Sequence, residues 1–493
     1  MILTENSSLN RLLEKLKEKI SLGERVKYFV PDLWNCFDYQ GQEKFVDEKG
    51  ITSVNPYNFY FSCIKDYILV KRDITKNYNK SISQTTSDLS DENGHLGGDW
   101  ITKSSMYAMD VRISTCWNQN ENGFKEAGTF IKTIALLPLL KKMGIDTLYL
   151  LPIFKFEKFS PIDPDLKDTI LGDDFTAEEE FRALVEACHI LDIRVILDIT
   201  SFSIASKEDL ITYYQNNFGI DGARLDMGQA FETEVTDSII DNSRKLDSDF
   251  SFITEGSFNG DVKLARENGF NMISGFCKDL EARISECRTY DFKYAVSKLK
   301  EPVFACAETP YSPRIAKGEN GRIASRFLTI LNEFLPNSVP VIISGLEVYD
   351  AIPLNLSSKL AWTSEGRWDI PDTLEAMHKI KNQFLDTFSN PDNFFNINFE
   401  SPYTTAVGFA YIIEGKRWQH NDNVIIIVGN SDLCNSREYT LFLDNIRYES
   451  GNGSKKAWLM YSQNEWSHDI YDFDHQSDLQ LSFKPGEVKI LIM

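Results

Sequence analysis

Eight short apolar stretches separated by amphipathic helical ones, then a tail of closely spaced strands without helical periodicity, predict an α/β chain. The predicted architecture is a closed (β/α)8 barrel, preceded by an N-terminal extension and followed by an all-β sandwich. A chain of 493 residues is long enough for two or three domains with sizeable cores. The expected division is 1–100 for the extension, 101–390 for the barrel and 391–493 for the sandwich.

Leu9, Leu12, Leu13, Leu16 and Ile20 recur at helical spacing, so residues 8–20 predict an amphipathic helix docked on the protein. Residues 26–73 mix Trp, Tyr and Phe with turn formers and predict a small ordered region. Residues 74–99 are polar and rich in Gly, Ser and Asn, the composition of a mobile linker or exposed loop. From about 105 the texture changes. Strands are predicted at 106–112, 147–153, 194–200, 222–226, 250–256, 272–276, 303–309 and 339–345, with helices near 127–143, 177–191, 207–217 and 233–245. An open doubly wound sheet is the alternative, disfavoured because no GxGxxG follows the first strand. Beyond a helix around 373–388, apolar runs such as AVGFAYII, NVIIIVGN and EVKILIM follow at short intervals with Gly, Asn and Asp turns between them.

The net charge of −21 argues against a nucleic-acid partner, which needs a basic face. No apolar run reaches membrane-spanning length and no leader pattern opens the chain, so no membrane partner is expected. Eight scattered cysteines without a CxxC pair fit free thiols in a reducing compartment, and a cytoplasmic location is expected. Aromatics at 12% are compatible with sugar stacking, although core packing accounts for most of them.

In a closed parallel barrel the C-terminal strand ends face the site. There the third strand carries Asp198, the fourth Arg224 and Asp226, the fifth Glu255 and the seventh Glu308. Carboxylates on consecutive strands are hard to explain as packing, because Asp and Glu are almost never buried unpaired. Arg224 and Asp226 lie on one side of their strand, since side chains alternate. An arginine there favours an ionised Asp226, suited to attack a sugar carbon. A structural ion pair explains the two residues equally well. Glu255, next to Phe252, Ile253 and Phe258, is expected to keep a raised pKa and to donate a proton to the leaving oxygen. The six histidines (His95, His189, His378, His420, His468 and His475) all fall away from the strand ends, so no imidazole is available there to grip a sugar.

The order of DITSFS (198–203), GARLDMGQA (222–230), FITEGSF (252–258) and ETPYSPRIA (308–316) resembles the four motif regions of family 13 glycoside hydrolases, the α-amylase superfamily. SVPVIISGLEV (338–348) is similar to that family's eighth strand, and the finer flavour resembles the maltosyltransferase-type members. The resemblance implies Asp226 as nucleophile, Glu255 as general acid/base, Arg224 as the partner of Asp226, and Asp198 as the structural acid of the third strand. It also implies an α-glucan or maltooligosaccharide as substrate. The chain departs from the family at instructive places. Phe202 and Ser203 stand where the first motif has Asn-His. Tyr311 replaces the third catalytic carboxylate, and Pro310 its histidine neighbour. The small domain usually inserted after the third strand is absent, and the family's calcium site uses the Asn that is missing here. No metal or cofactor is therefore expected. Glu308 is a candidate substitute acid, and Arg314 either a structural partner of a loop carboxylate or an anion binder. Two functions follow: a weak retaining hydrolase or transglycosylase acting on α-glucans, or a degenerate relative that binds sugar or a protein partner without turnover.

Overall fold

The computed structural model describes residues 7–41, 45–46, 51–71, 96–119, 123–155, 160–199, 204–225, 234–255, 261–274, 302–362, 368–400, 404–413, 424–443, 455–462, 465–473 and 478–493. The linker expected over 74–99 lies almost wholly outside them. A small antiparallel sheet comes first: β1 (Tyr28–Pro31), β2 (Phe45–Val46) and β3 (Ile51–Val54), in the order β1-β3-β2. Eight parallel strands follow: β4 (Met106–Met109), β5 (Thr147–Leu150), β6 (Arg194–Asp198), β7 (Gly222–Leu225), β8 (Ser251–Glu255), β9 (Met272–Ser274), β10 (Val303–Ala305) and β11 (Ser338–Ile343). They close into a barrel in chain order. Each lies within a stretch predicted from its apolar run, or within one residue of it, and most stop short of the predicted C-terminal end.

By compactness the chain divides into residues 1–274 with 342–368, and residues 275–341 with 369–493. In the first unit the helix Ser8–Lys19 buries Leu9, Leu12 and Leu16 and packs on the helix Ala177–Ile190. Its first amides need acceptors from outside the helix. The Glu186 carboxylate supplies them, accepting from Ser8 N at 3.3 Å and Leu9 N at 2.7 Å. The extension also reaches the loop after β4, where the Gln119 amide bonds both backbone groups of Phe29. Trp34 meets Trp362 edge to face. The helix Phe130–Lys142 is buried from Phe130 through Leu140 because the extension covers the side that solvent would otherwise take. Its Lys132 ammonium is fully enclosed and donates to three carbonyls, those of Lys125, Glu126 and Ala127, at 2.5, 3.1 and 2.8 Å.

The second unit carries the C-terminal strands. One antiparallel sheet contains β12 (Phe394–Asn396), β14 (Ala406–Ile412), β15 (Val424–Asn430), β21 (Val488–Ile492), β17 (Lys455–Ser462) and β18 (Glu465–Trp466), with β19 (Ile470–Phe473) also on β17. A smaller one contains β13 (Asn398–Phe399), β16 (Arg437–Phe442) and β20 (Leu479–Phe483). Alternate residues of both sheets, among them Ile426, Val428, Leu441, Leu459, Leu481 and Leu491, share one buried cluster. That is the inner face of a sandwich.

Candidate functional site

The site is built outward from Arg224. Gly222 opens β7 because a Cβ there would stand 2.7 Å from the Ser251 carbonyl oxygen. Two residues on, Arg224 lies in register with Asp198 of β6 and Ile253 of β8. Residues two apart on a strand share a face, so Glu255 projects on the side of Arg224. The guanidinium reaches three strands. Nη1 donates to Asp198 Oδ2 at 3.0 Å, Nε to Ser274 Oγ at 3.3 Å, and Nη2 pairs with Glu255 Oε2. Tyr149 of β5 donates its hydroxyl to the same Asp198 oxygen at 2.6 Å. Side chains from five consecutive strands thus form one connected polar set.

Burial grades across the set. The Asp198 side chain is 3% exposed, Arg224 14% and Glu255 52%. One guanidinium lies against two carboxylates. This differs from the apolar setting expected for Glu255. Phe252 is fully buried, and its odd spacing from Glu255 puts it on the opposite face of β8. Neighbours in sequence are not neighbours in space on a strand. Asp226 is the residue after β7, and it lies outside the described residues, as do Phe202, Ser203 and Phe258.

The residues after β10 form a separate arrangement. Glu308 and Arg314 are an enclosed ion pair, their side chains 2% and 0% exposed. Arg314 Nη1 pairs with Glu308 Oε1, and Ile315 N donates to Oε2 at 3.1 Å. Both Glu308 oxygens are thus engaged, and Arg314 is the partner of a loop carboxylate. Tyr311 stands 67% exposed in a turn closed by Thr309 N to Ser312 Oγ at 2.8 Å and Ser312 N to Thr309 Oγ1 at 3.1 Å.

Sequence reasoning missed Tyr149 and Ser274, which read as ordinary strand residues. It also missed Asp110, which follows β4 and caps the short helix Val111–Ser114 by accepting from Arg112 N and Ile113 N at 2.9 and 3.3 Å. Burial pushes the Asp110 carboxyl up. Glu347 follows β11, fully buried, and accepts from Tyr107 Oη at 2.5 Å and Gly345 N at 2.8 Å. That turn needs Gly345, whose φ is 100°. For Glu347 a signal existed in the Ser-Gly-x-Glu that ends the eighth strand.

No protein-family profile and no curated protein sequence matches the chain. Solved structures do. A debranching enzyme from Nostoc punctiforme, in an acarbose-soaked crystal, is similar with a TM-score of 0.58 at 13% identity, covering 81% of this chain and 100% of that one. The α-amylase of Geobacillus thermoleovorans complexed with acarbose is similar with a TM-score of 0.58 at 13% identity, over 80% of this chain and 98% of that one. A maltogenic α-amylase from Thermotoga neapolitana is similar with a TM-score of 0.58 at 17% identity, over 80% and 99%.

The chain shares the fold of these debranching-enzyme and α-amylase structures.

The barrel brings its third, fourth and fifth strand ends together through Asp198, Arg224 and Glu255. The calcium that the resemblance implies does not fit the residues present. Phe202, in place of the asparagine, has no side-chain oxygen to offer. Among the described residues no group of three His, Cys, Asp or Glu side chains is arranged to hold a metal ion.

Proposed function

We propose that this chain acts on α-glucans or maltooligosaccharides as a hydrolase or transglycosylase by retaining double displacement. Asp226 attacks the sugar carbon, and Glu255 serves first as acid and then as base. The reading rests on one observation: the Arg224 guanidinium held between Asp198 and Glu255 at three consecutive strand ends. Such a cation neutralises the carboxylates in the resting site and keeps them close without repulsion. A substrate that excludes water and draws Glu255 off Arg224 leaves that carboxyl to take up the proton it donates. Turnover is slow in this reading. Tyr311 in place of a transition-state carboxylate costs about 2.7–4 kcal/mol, or roughly a hundred- to a thousand-fold in rate.

A second reading, binding without turnover, is favoured by the enclosed Glu308–Arg314 pair, which offers no substitute acid. α-Glucosyl fluoride tests the choice. The first reading expects release of fluoride that Asp226→Asn abolishes, and no release by the unmutated protein defeats it. Calorimetry with maltooligosaccharides tests the second, which expects binding that survives Glu255→Gln.

We also assign the barrel to 101–390, the extension to 1–100 and the sandwich to 391–493, and place the chain in the cytoplasm. The location is supported by free Cys63, Cys116, Cys188 and Cys434 among the described residues. No described helix is long and apolar enough to cross a membrane.

A further inference from the structure

Tyr149 carries no sequence signal of function, yet its hydroxyl ends on the same oxygen that receives Arg224. Asp198 Oδ2 accepts from Tyr149 Oη at 2.6 Å and from Arg224 Nη1 at 3.0 Å. Tyr149 is 5% exposed and Asp198 3%, so water does not readily take the place of the phenol on this acceptor. The two donors share one acceptor, and what one supplies the other need not. The far side of the same guanidinium, Nη2, is on Glu255.

We infer that Tyr149 is a positioning residue: its hydrogen bond to Asp198 sets how Arg224 divides itself between Asp198 and Glu255. With the phenol in place, part of the Asp198 charge is satisfied by a neutral donor and the guanidinium is left to Glu255. Without it, Asp198 draws Arg224 inward and Glu255 loses its counter-ion. Ser274 Oγ also faces this arrangement, accepting from Arg224 Nε. The inference rests on the proposed function only in taking Glu255 as the acid, and its effect is present in a protein that never turns over.

Carbon-13 titration of the intact chain carrying [5-13C]glutamate reads Glu255 directly, its signal identified by loss in Glu255→Gln. Tyr149→Phe raises the Glu255 midpoint by about half a unit to one unit, a three- to ten-fold gain in proton affinity. Asp198→Asn, which frees Arg224 for Glu255, lowers it. Opposite signs are the signature of a shared guanidinium. An unmoved midpoint in folded Tyr149→Phe, or movement of both variants in one direction, overturns the inference. If Tyr149→Phe does not fold, 3-fluorotyrosine at position 149, a stronger donor, lowers the midpoint, and no movement there overturns it equally. α-Glucosyl fluoride release is measured on the same samples. Its absence defeats the glycosidase reading alone, while the titration decides the role of Tyr149.

Discussion

Arg314 and Glu308 show what a single enclosed charge demands. With side chains 0% and 2% exposed, the two are paired away from solvent. Removing one partner of such a pair leaves a buried charge and costs about 3–5 kcal/mol. Arg314→Met is therefore strongly destabilising, and adding Glu308→Leu recovers most of the loss in chemical denaturation. A double variant no more stable than the single one would show that the cation does more than neutralise Glu308. Lys132 poses the same demand with neutral partners. Lys132→Met strands three carbonyls after β4, at about 1–3 kcal/mol for a buried group left unsatisfied. Hydrogen exchange then rises over residues 123–129 first. A uniform rise across the unit would count against a local clamp. Burial pushes the Lys132 ammonium down, so the clamp loosens first at alkaline pH.

At the scale of elements, the helix Ala177–Ile190 illustrates how local rules and tertiary burial are superimposed. Thr176 and Glu179 form a capping box, and Thr176→Ala costs about 1 kcal/mol. One turn on, Glu180 is fully buried and accepts from the Asp168 amide at 3.1 and 2.9 Å. Burial, and then the nearby Asp168 carboxylate, hold the Glu180 carboxyl well above its ordinary value of 4.5. An acid whose folded pKa is raised contributes stability below its unfolded value and loses it as pH rises through the folded one. Glu180→Gln keeps the acceptor and removes the titration. The variant melts above the unmutated protein at pH 8, and the gap closes toward pH 4. A gap independent of pH would show that Glu180 does not titrate in the fold. The strands were legible because their apolar runs are short and separated by helical periods. Their ends were less so, because periodicity does not say where a parallel strand stops pairing.

At the scale of the molecule, the sandwich depends on alternate residues of two sheets meeting in one cluster. Leu441→Ala opens a cavity there at about 2–5 kcal/mol. The C-terminal strands lose amide protection ahead of β4 through β8, and simultaneous loss would mean that the two units unfold as one. A chelator leaves the melting temperature unchanged, because the sequence has Phe202, without a side-chain oxygen, in place of the asparagine; a drop on chelation would refute this. The alternation of apolar and helical stretches was enough to determine eight strands, a closed barrel and the acids at its strand ends, because each follows from local period and chain order. Which of those acids meet was decided only in three dimensions. Arg224 joins Asp198 and Glu255, Glu308 is taken by Arg314, and Tyr149 enters the site, because partners on neighbouring strands are chosen by register and face, and these depend on how the whole sheet closes.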